Sequence, residues 1–235
     1  MQGLLEHARE LLNQIPPDLP GLDELDITPD EATQLAYEYS KACWCEGLDN
    51  YGQMEEYYSW CNCDSSVVPG YHSSHLYEVL AFLLKRGADP NYEGESSSLM
   101  QYVIDCVNGY AAADSLRLLL EYGGDPNLAT DGERLFPEIA FDVEFGAANQ
   151  EDRRRYDSLV HCWMVLIGFG GKSYDGSDPV DFYKVWSPEG FHQIDPESLK
   201  NHENYSFCIT YLSTHGGAPT IHIFDKRTYW EVVRY

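Results

Sequence analysis

Apolar residues recur at helical spacing through most of this chain. Leu4, Ala8, Leu11, Leu12 and Ile15, with Glu6, Arg9 and Glu10 between them, predict an amphipathic opening helix that Pro16 and Pro17 stop. Thr28-Pro29-Asp30-Glu31 is a capping box with proline at the first helical position. The stripe behind it is Ala32, Leu35, Ala36, Tyr39, Ala42 and Cys43, ending near Gly47. Ser74 starts the next helix, striped by Leu76, Val79, Leu80, Leu83 and Leu84. Leu99 to Val107 and Ala111 to Tyr122 read as a helical pair divided at Asn108-Gly109, and Leu135 to Phe141 is a short apolar segment. Asp142 to Arg155 interrupts the pattern before Tyr156, Leu159, Val160, Trp163 and Ile167 resume it. After Trp186 the period changes. Asp195-Pro196 starts a short helix, Tyr205 to Tyr211 reads as a strand, and Thr220 to Phe224 and Tyr229 to Val233 alternate around a turn at Asp225 to Thr228.

One phrase is written twice. Leu83-Leu84-Lys85-Arg86-Gly87-Ala88-Asp89-Pro90-Asn91 returns as Leu119-Leu120-Glu121-Tyr122-Gly123-Gly124-Asp125-Pro126-Asn127, so Gly87 and Gly123 lie 36 positions apart. A looser copy, Leu166-Ile167-Gly168-Phe169-Gly170-Gly171-Lys172, places Gly170 a further 47 positions on, the excess being largely the 142–155 insertion. In each copy a helix ends in apolar residues, a glycine takes the left-handed conformation, and a turn leads away. A period in the thirties is the mark of stacked helical pairs that bury their apolar faces only against neighbours.

Leu-Leu-x-x-Gly-Ala-Asp-Pro-Asn resembles the end of an ankyrin repeat. Where that family has Gly-x-Thr-Pro-Leu-His-x-Ala, this chain has Gly132 to Ile139 and Gly176 to Tyr183, and the looser Gly94 to Leu99, which reads as one residue longer. The resemblance covers His75 to Trp186, about half the chain. It implies a mainly α fold: an ankyrin-like helical solenoid with N-terminal capping helices and a small antiparallel β segment at the C-terminus. The corresponding division is 1–74 for the acidic capping helices and loop, 75–186 for the repeats and 187–235 for the β cap. Proteins of this family bind partners through hairpin tips and first helices. Here the tips fall at Tyr92, Glu93, Glu95, Leu128, Asp131, Glu133, Tyr174, Asp175 and Asp178, mostly acidic, with Arg134 and Lys172 as exceptions expected to set specificity. The family's small bacterial members include immunity proteins that neutralise toxins, so an acidic inhibitor of a basic protein is the sharpest expectation.

Charge narrows the class of partner. Fifteen basic against 39 acidic residues leave −24. Residues 1–75 carry 14 acidic and 2 basic side chains, residues 76–186 carry 19 and 9, and residues 187–235 carry 6 and 4. Such a field repels phosphate backbones, which argues against nucleic acid and anionic membrane as ligands. It attracts basic proteins and accelerates their encounter. The same charge also serves solubility. No run approaches the roughly 18 apolar residues of a membrane span, and Met1 to Pro20 carries no signal-peptide pattern. Seven cysteines, an odd number, fit free thiols in a reducing compartment, so the expected location is the cytoplasm.

Candidate chemistry is sparse. Cys43-x-Cys45 and Cys61-x-Cys63, near His72 and His75, could supply four thiolates to zinc. One intervening residue is short for paired ligands, however, and Cys43 sits on an apolar stripe, where cysteine behaves as a small hydrophobe. Residues two apart on a helix point about 200° from each other. His161 and Cys162 are adjacent and so face different directions, and His215-Gly216-Gly217 has no following helix to bind phosphate. Between Leu48 and Ser73 lie Tyr51, Tyr57, Tyr58, Trp60 and Tyr71 among carboxylates, suited either to packing over the first helices or to a partner. The Arg153-Arg154-Arg155 trio sits beside Glu151 and Asp152, its local counter-charges. The expectation is a non-catalytic protein-binding module with no cofactor and no bound metal. The alternative is a metal-dependent or enzymatic domain built on the cysteines and the C-terminal strands.

Overall fold

In the computed structural model the signal at Thr28 closes as a reciprocal cap. The Glu31 N–H donates to the Thr28 hydroxyl at 3.3 Å, while the Glu31 carboxylate accepts from the Thr28 N–H at 3.0 Å and from its hydroxyl at 2.8 Å. Helix α1, Pro29–Asp49, follows. The structure describes residues 27–49, 76–95, 97–105, 110–130, 133–134, 153–172, 184–187, 190–193, 195–210 and 220–226. The expected opening helix, the Ser74 cap, the aromatic 50–73 stretch, Leu135 to Phe141 and the strand at Tyr229 to Val233 lie outside them.

Two compact units make up the chain, Met1–Asp125 and Pro126–Tyr235. In the first, α1 is followed by α2 (Leu76–Lys85), α3 (Leu99–Asp105) and α4 (Tyr110–Glu121). Helix α1 packs on α2 and α3, and α4 packs on both α2 and α3. The result is two layers, α1 with α3 and α2 with α4. The core between them takes Leu35, Leu76, Leu80 and Leu83 from the predicted stripes and adds Leu99, Leu116 and Leu119, all 2% exposed or less. Burying a leucine of this kind stabilises by roughly 1.5–3 kcal/mol.

The repeated phrase has one geometry. Gly87, Gly123 and Gly170 have φ of 89°, 97° and 89°, the left-handed region that side chains disfavour. Each glycine N–H donates to the carbonyl three residues back, Leu84, Leu120 or Ile167, at 3.0–3.1 Å. Each following N–H, of Ala88, Gly124 or Gly171, donates to the carbonyl five back, Leu83, Leu119 or Leu166, at 2.8–3.2 Å. These paired bonds satisfy helix-end carbonyls that would otherwise be left without partners. The period extends into the hairpins that follow. Glu93 bridges Ser98 in the first. Ala129 pairs with Arg134 across β1 (Ala129–Thr130) and β2 (Glu133–Arg134) in the second. Both pairs span five residues and lie 36 apart, so the extra residue expected in the first copy is absent.

In the second unit, α5 (Arg153–Gly168) shows no stripe over its described side chains. Every residue from Leu159 to Gly168 is buried, including His161, Cys162, Met164 and Val165. A helix buried all round needs cover on every side, and part of it comes from a 3₁₀ helix, Pro196–Asn204, packed against it. Asp195 caps that helix, accepting from the Glu197 N–H at 3.1 Å. The expected strands are present as β5 (Tyr205–Thr210) and β6 (Thr220–Asp225). They are joined by β3 (Lys184–Ser187) and β4 (Gly190–Gln193) in the order β4-β3-β6-β5. The expected antiparallel pairing is present between β5 and β6, with Phe207 opposite Ile223, and β3, which the pattern did not announce, adds a parallel neighbour to β6, with Val185 opposite Ile223. A parallel neighbour requires a crossover connection, which local strand patterning does not show.

Candidate functional site

The best-described of the expected tips is the hairpin after Asn91. The Asp89 carboxylate accepts from the Asn91 N–H at 2.9 Å, closing an Asx turn. The hairpin is held by bonds from the Gly94 N–H to the Ser97 carbonyl and from the Leu99 N–H to the Tyr92 carbonyl, both 2.9 Å. Ser98, fully buried, then starts α3: its hydroxyl accepts from the Gln101 N–H at 3.1 Å.

This hairpin is seated on α1. The Tyr92 hydroxyl donates to Gln34 Oε1 at 3.3 Å, and Gln34 Nε2 donates to Glu38 Oε1 at 3.1 Å. The Tyr37 ring meets Tyr92 edge-on at 5.3 Å and Tyr102 of α3 at 5.4 Å. A Cβ built on Gly94 would overlap the Cζ and hydroxyl of Tyr37, so glycine is required there by close approach. Tyr92 is therefore half-buried and acts as the link between hairpin and helix layer. Glu93 and Glu95 are exposed.

The layers differ in charge. Among the described side chains, α1, α3 and this hairpin carry Asp30, Glu31, Glu38, Glu93, Glu95 and Asp105 against Lys41 alone. The α2 and α4 layer, with its turns, is less one-sided: Glu78, Asp89, Asp114, Glu121 and Asp125 against Lys85, Arg86 and Arg117. There Arg117 pairs with Asp114 at 3.2 Å and Glu121 at 4.0 Å, while the Arg86 guanidinium lies 3.6 Å from the Phe82 ring centre. The titration of Glu31 is displaced: the Thr28 backbone N–H and then its hydroxyl hold the carboxyl below the usual value of 4.5.

Of the remaining expected tip residues, Leu128 is half-buried, and Glu133 and Arg134 form β2 in the second unit, opposite Thr130 and Ala129. Asp131, Tyr174, Asp175 and Asp178 lie outside the described residues. Lys172 is half-buried, and its N–H donates to Asn127 at 2.8 Å. Gln34, Tyr37 and Glu38 were not singled out by sequence reasoning. Their positions on α1 alternate between buried and half-buried, and only the hairpin's docking identifies which face they share.

Of the groups considered for chemistry, Cys43 is buried, and Cys45, Cys61, Cys63, His72 and His75 fall outside the side chains described. His161 and Cys162 are both buried. The His161 ring stacks edge-on to His202 of the 3₁₀ helix, with centres 5.2 Å apart. Among the described residues no three His, Cys, Asp or Glu side chains converge as a metal site would require, and no helix is long and apolar enough to cross a membrane. No family model, no curated protein and no solved structure matches this chain.

Proposed function

We propose that this chain is a non-catalytic protein-binding module of the ankyrin-repeat type, and that its partner is a basic protein. The single observation that carries the reading is the segregation of charge in the first unit. Among the described side chains, six carboxylates and one lysine occupy the layer formed by α1, α3 and their hairpin, against five carboxylates and three cations on the opposite layer. A one-signed surface steers an oppositely charged partner and raises its association rate. The repeated turns and the 36-residue spacing of the hairpins support the ankyrin-like architecture. Blocking a toxin or enzyme by covering its positively charged site is the narrower form of this reading.

The test is affinity capture from source-cell lysate at low and high salt, with two charge-matched variants. Glu93→Lys with Glu95→Lys alters the acidic layer. Glu121→Lys with Glu197→Lys changes net charge equally elsewhere. The expected result is a basic protein retained by the wild type and by the second variant, lost as salt rises, with association to the first variant slowed about tenfold. Equal effects of both variants, or capture of nothing, overturns the proposal.

A further inference from the structure

Two histidines that the proposed binding surface does not use meet inside the second unit. His161 of α5 is 4% exposed and His202 of the 3₁₀ helix is fully buried. Their rings lie edge to face, with centres 5.2 Å apart and planes at 68°. Leu199 and His202 stand three residues apart, one turn of a 3₁₀ helix, so both are turned inward while Glu197, Asn201 and Glu203 are exposed. The seat on α5 is close: a Cβ built on Gly168 would stand 2.7 Å from the Lys200 backbone nitrogen.

Imidazole is the side chain whose charge changes near neutrality, at about 6.5 when unperturbed. Burial disfavours the charged form of each ring. The second charge also meets the first. At a separation of 5.2 Å and an effective dielectric of about 20, repulsion lowers the affinity for a second proton roughly two-hundredfold. Among the described residues, α5 adds the buried Cys162 thiol to the surroundings, and the 3₁₀ helix adds Glu197, Lys200 and Glu203. Glu197 and Glu203 are exposed, and Lys200 pairs with Glu197 at 2.8 Å and lies 4.4 Å from the Phe169 ring centre. Strand β5 adds Tyr205, whose hydroxyl donates to the Ser198 hydroxyl at 2.7 Å. The end of β6 adds Asp225, opposite Tyr205, and is followed by Lys226, which donates to the Glu203 carbonyl at 2.7 Å. A carboxylate among these would stabilise one imidazolium; it would not remove the repulsion between two.

We infer that His161 and His202 form an acid-sensitive latch between α5 and the 3₁₀ helix. The closed pair holds at most one proton, whereas the opened pair binds two below about 6.5. Because the open form then binds more protons, the closed form loses stability as pH falls. The latch is fully effective above the ordinary imidazole value and weakens about tenfold per pH unit below it. The 3₁₀ helix runs directly into β5 at Tyr205, whose N–H donates to the His202 carbonyl, so opening reaches the start of the sheet. Nothing in the latch depends on the protein-binding reading.

Amide hydrogen exchange of the full chain, corrected for the intrinsic rate at each pH, reads the latch at the Tyr205 N–H. Between about pH 7 and about pH 5.5, protection there is expected to fall about tenfold. His161→Phe and His202→Phe each keep a ring in place and take about that factor away. His192→Gln, at an exposed position of β4, keeps the full response. An equal fall in all four proteins, or no fall in the wild type, overturns the latch. Where a phenylalanine variant does not fold, imidazole proton resonances of the wild type decide. Loss of Tyr205 protection as the second ring charges sustains the latch; both rings charging together near 6.5 with that amide still protected overturns it.

Discussion

Gly94→Ala tests the seating of the hairpin on α1, and its sign is the informative part. Among the described glycines those with positive φ are Gly87, Gly123 and Gly170, so an alanine at 94 meets no backbone objection. On that ground alone the substitution would stabilise by about 0.4–1 kcal/mol, through a more restricted unfolded chain. The added Cβ, however, lands on the ring end of Tyr37, which is 7% exposed and flanked by the Tyr92 and Tyr102 rings. Forcing a methyl into a packed site costs about 1–3 kcal/mol, and breaking an edge-on ring pair costs about 0.5–1.5 kcal/mol more. The expected net is a destabilisation of about 0.5–4 kcal/mol, read as a lower urea midpoint at unchanged slope. Tyr37→Ala removes the obstruction and by itself costs about 3–5 kcal/mol. In that background Gly94→Ala is expected to be neutral or slightly stabilising, and the double-mutant cycle returns nearly the whole cost as coupling. A neutral Gly94→Ala in the wild type, or the same cost with and without Tyr37, refutes the reasoning.

Two further expectations follow from the turns and the cap. At Gly123 a Cβ meets nothing within 4 Å, so Gly123→Ala isolates the left-handed penalty of about 1–2 kcal/mol, and Gly123→Asn costs less. Gly87→Ala adds a 3.3 Å contact with Pro29 and should cost at least as much; urea midpoints of the three variants decide. For Glu31, the folded-state value is depressed, so its capping contribution is fully present above the usual 4.5 and is lost as pH falls through the lowered value. The stability difference between wild type and Glu31→Gln should therefore shrink on acidification below that point, and parallel pH profiles would count against the cap.

What the chain specified locally is what its neighbours in sequence enforce. Thr28 and Glu31 are three residues apart, and their reciprocal bonds need nothing else. The turns at Gly87, Gly123 and Gly170 close on carbonyls three and five residues back, so the phrase alone determines them. The stripe of α2 follows from period alone, because Leu76, Val79, Leu80, Leu83 and Leu84 are covered while Tyr77 and Lys85 are exposed. Other features needed partners distant in the chain. The burial of α5 from Leu159 to Gly168 depends on a 3₁₀ helix more than 25 residues later, which turned His161, Cys162 and Met164 from off-stripe residues into core. Strand β3 lies parallel to β6, some 35 residues on, and a strand of four residues carries too little pattern to announce such a pairing. Tyr92 reads as an exposed tip until Gln34 and Tyr37, 58 and 55 positions earlier, hold its hydroxyl and ring. Short-range hydrogen bonds are encoded by adjacency; which side chains share a surface is decided only when the layers close.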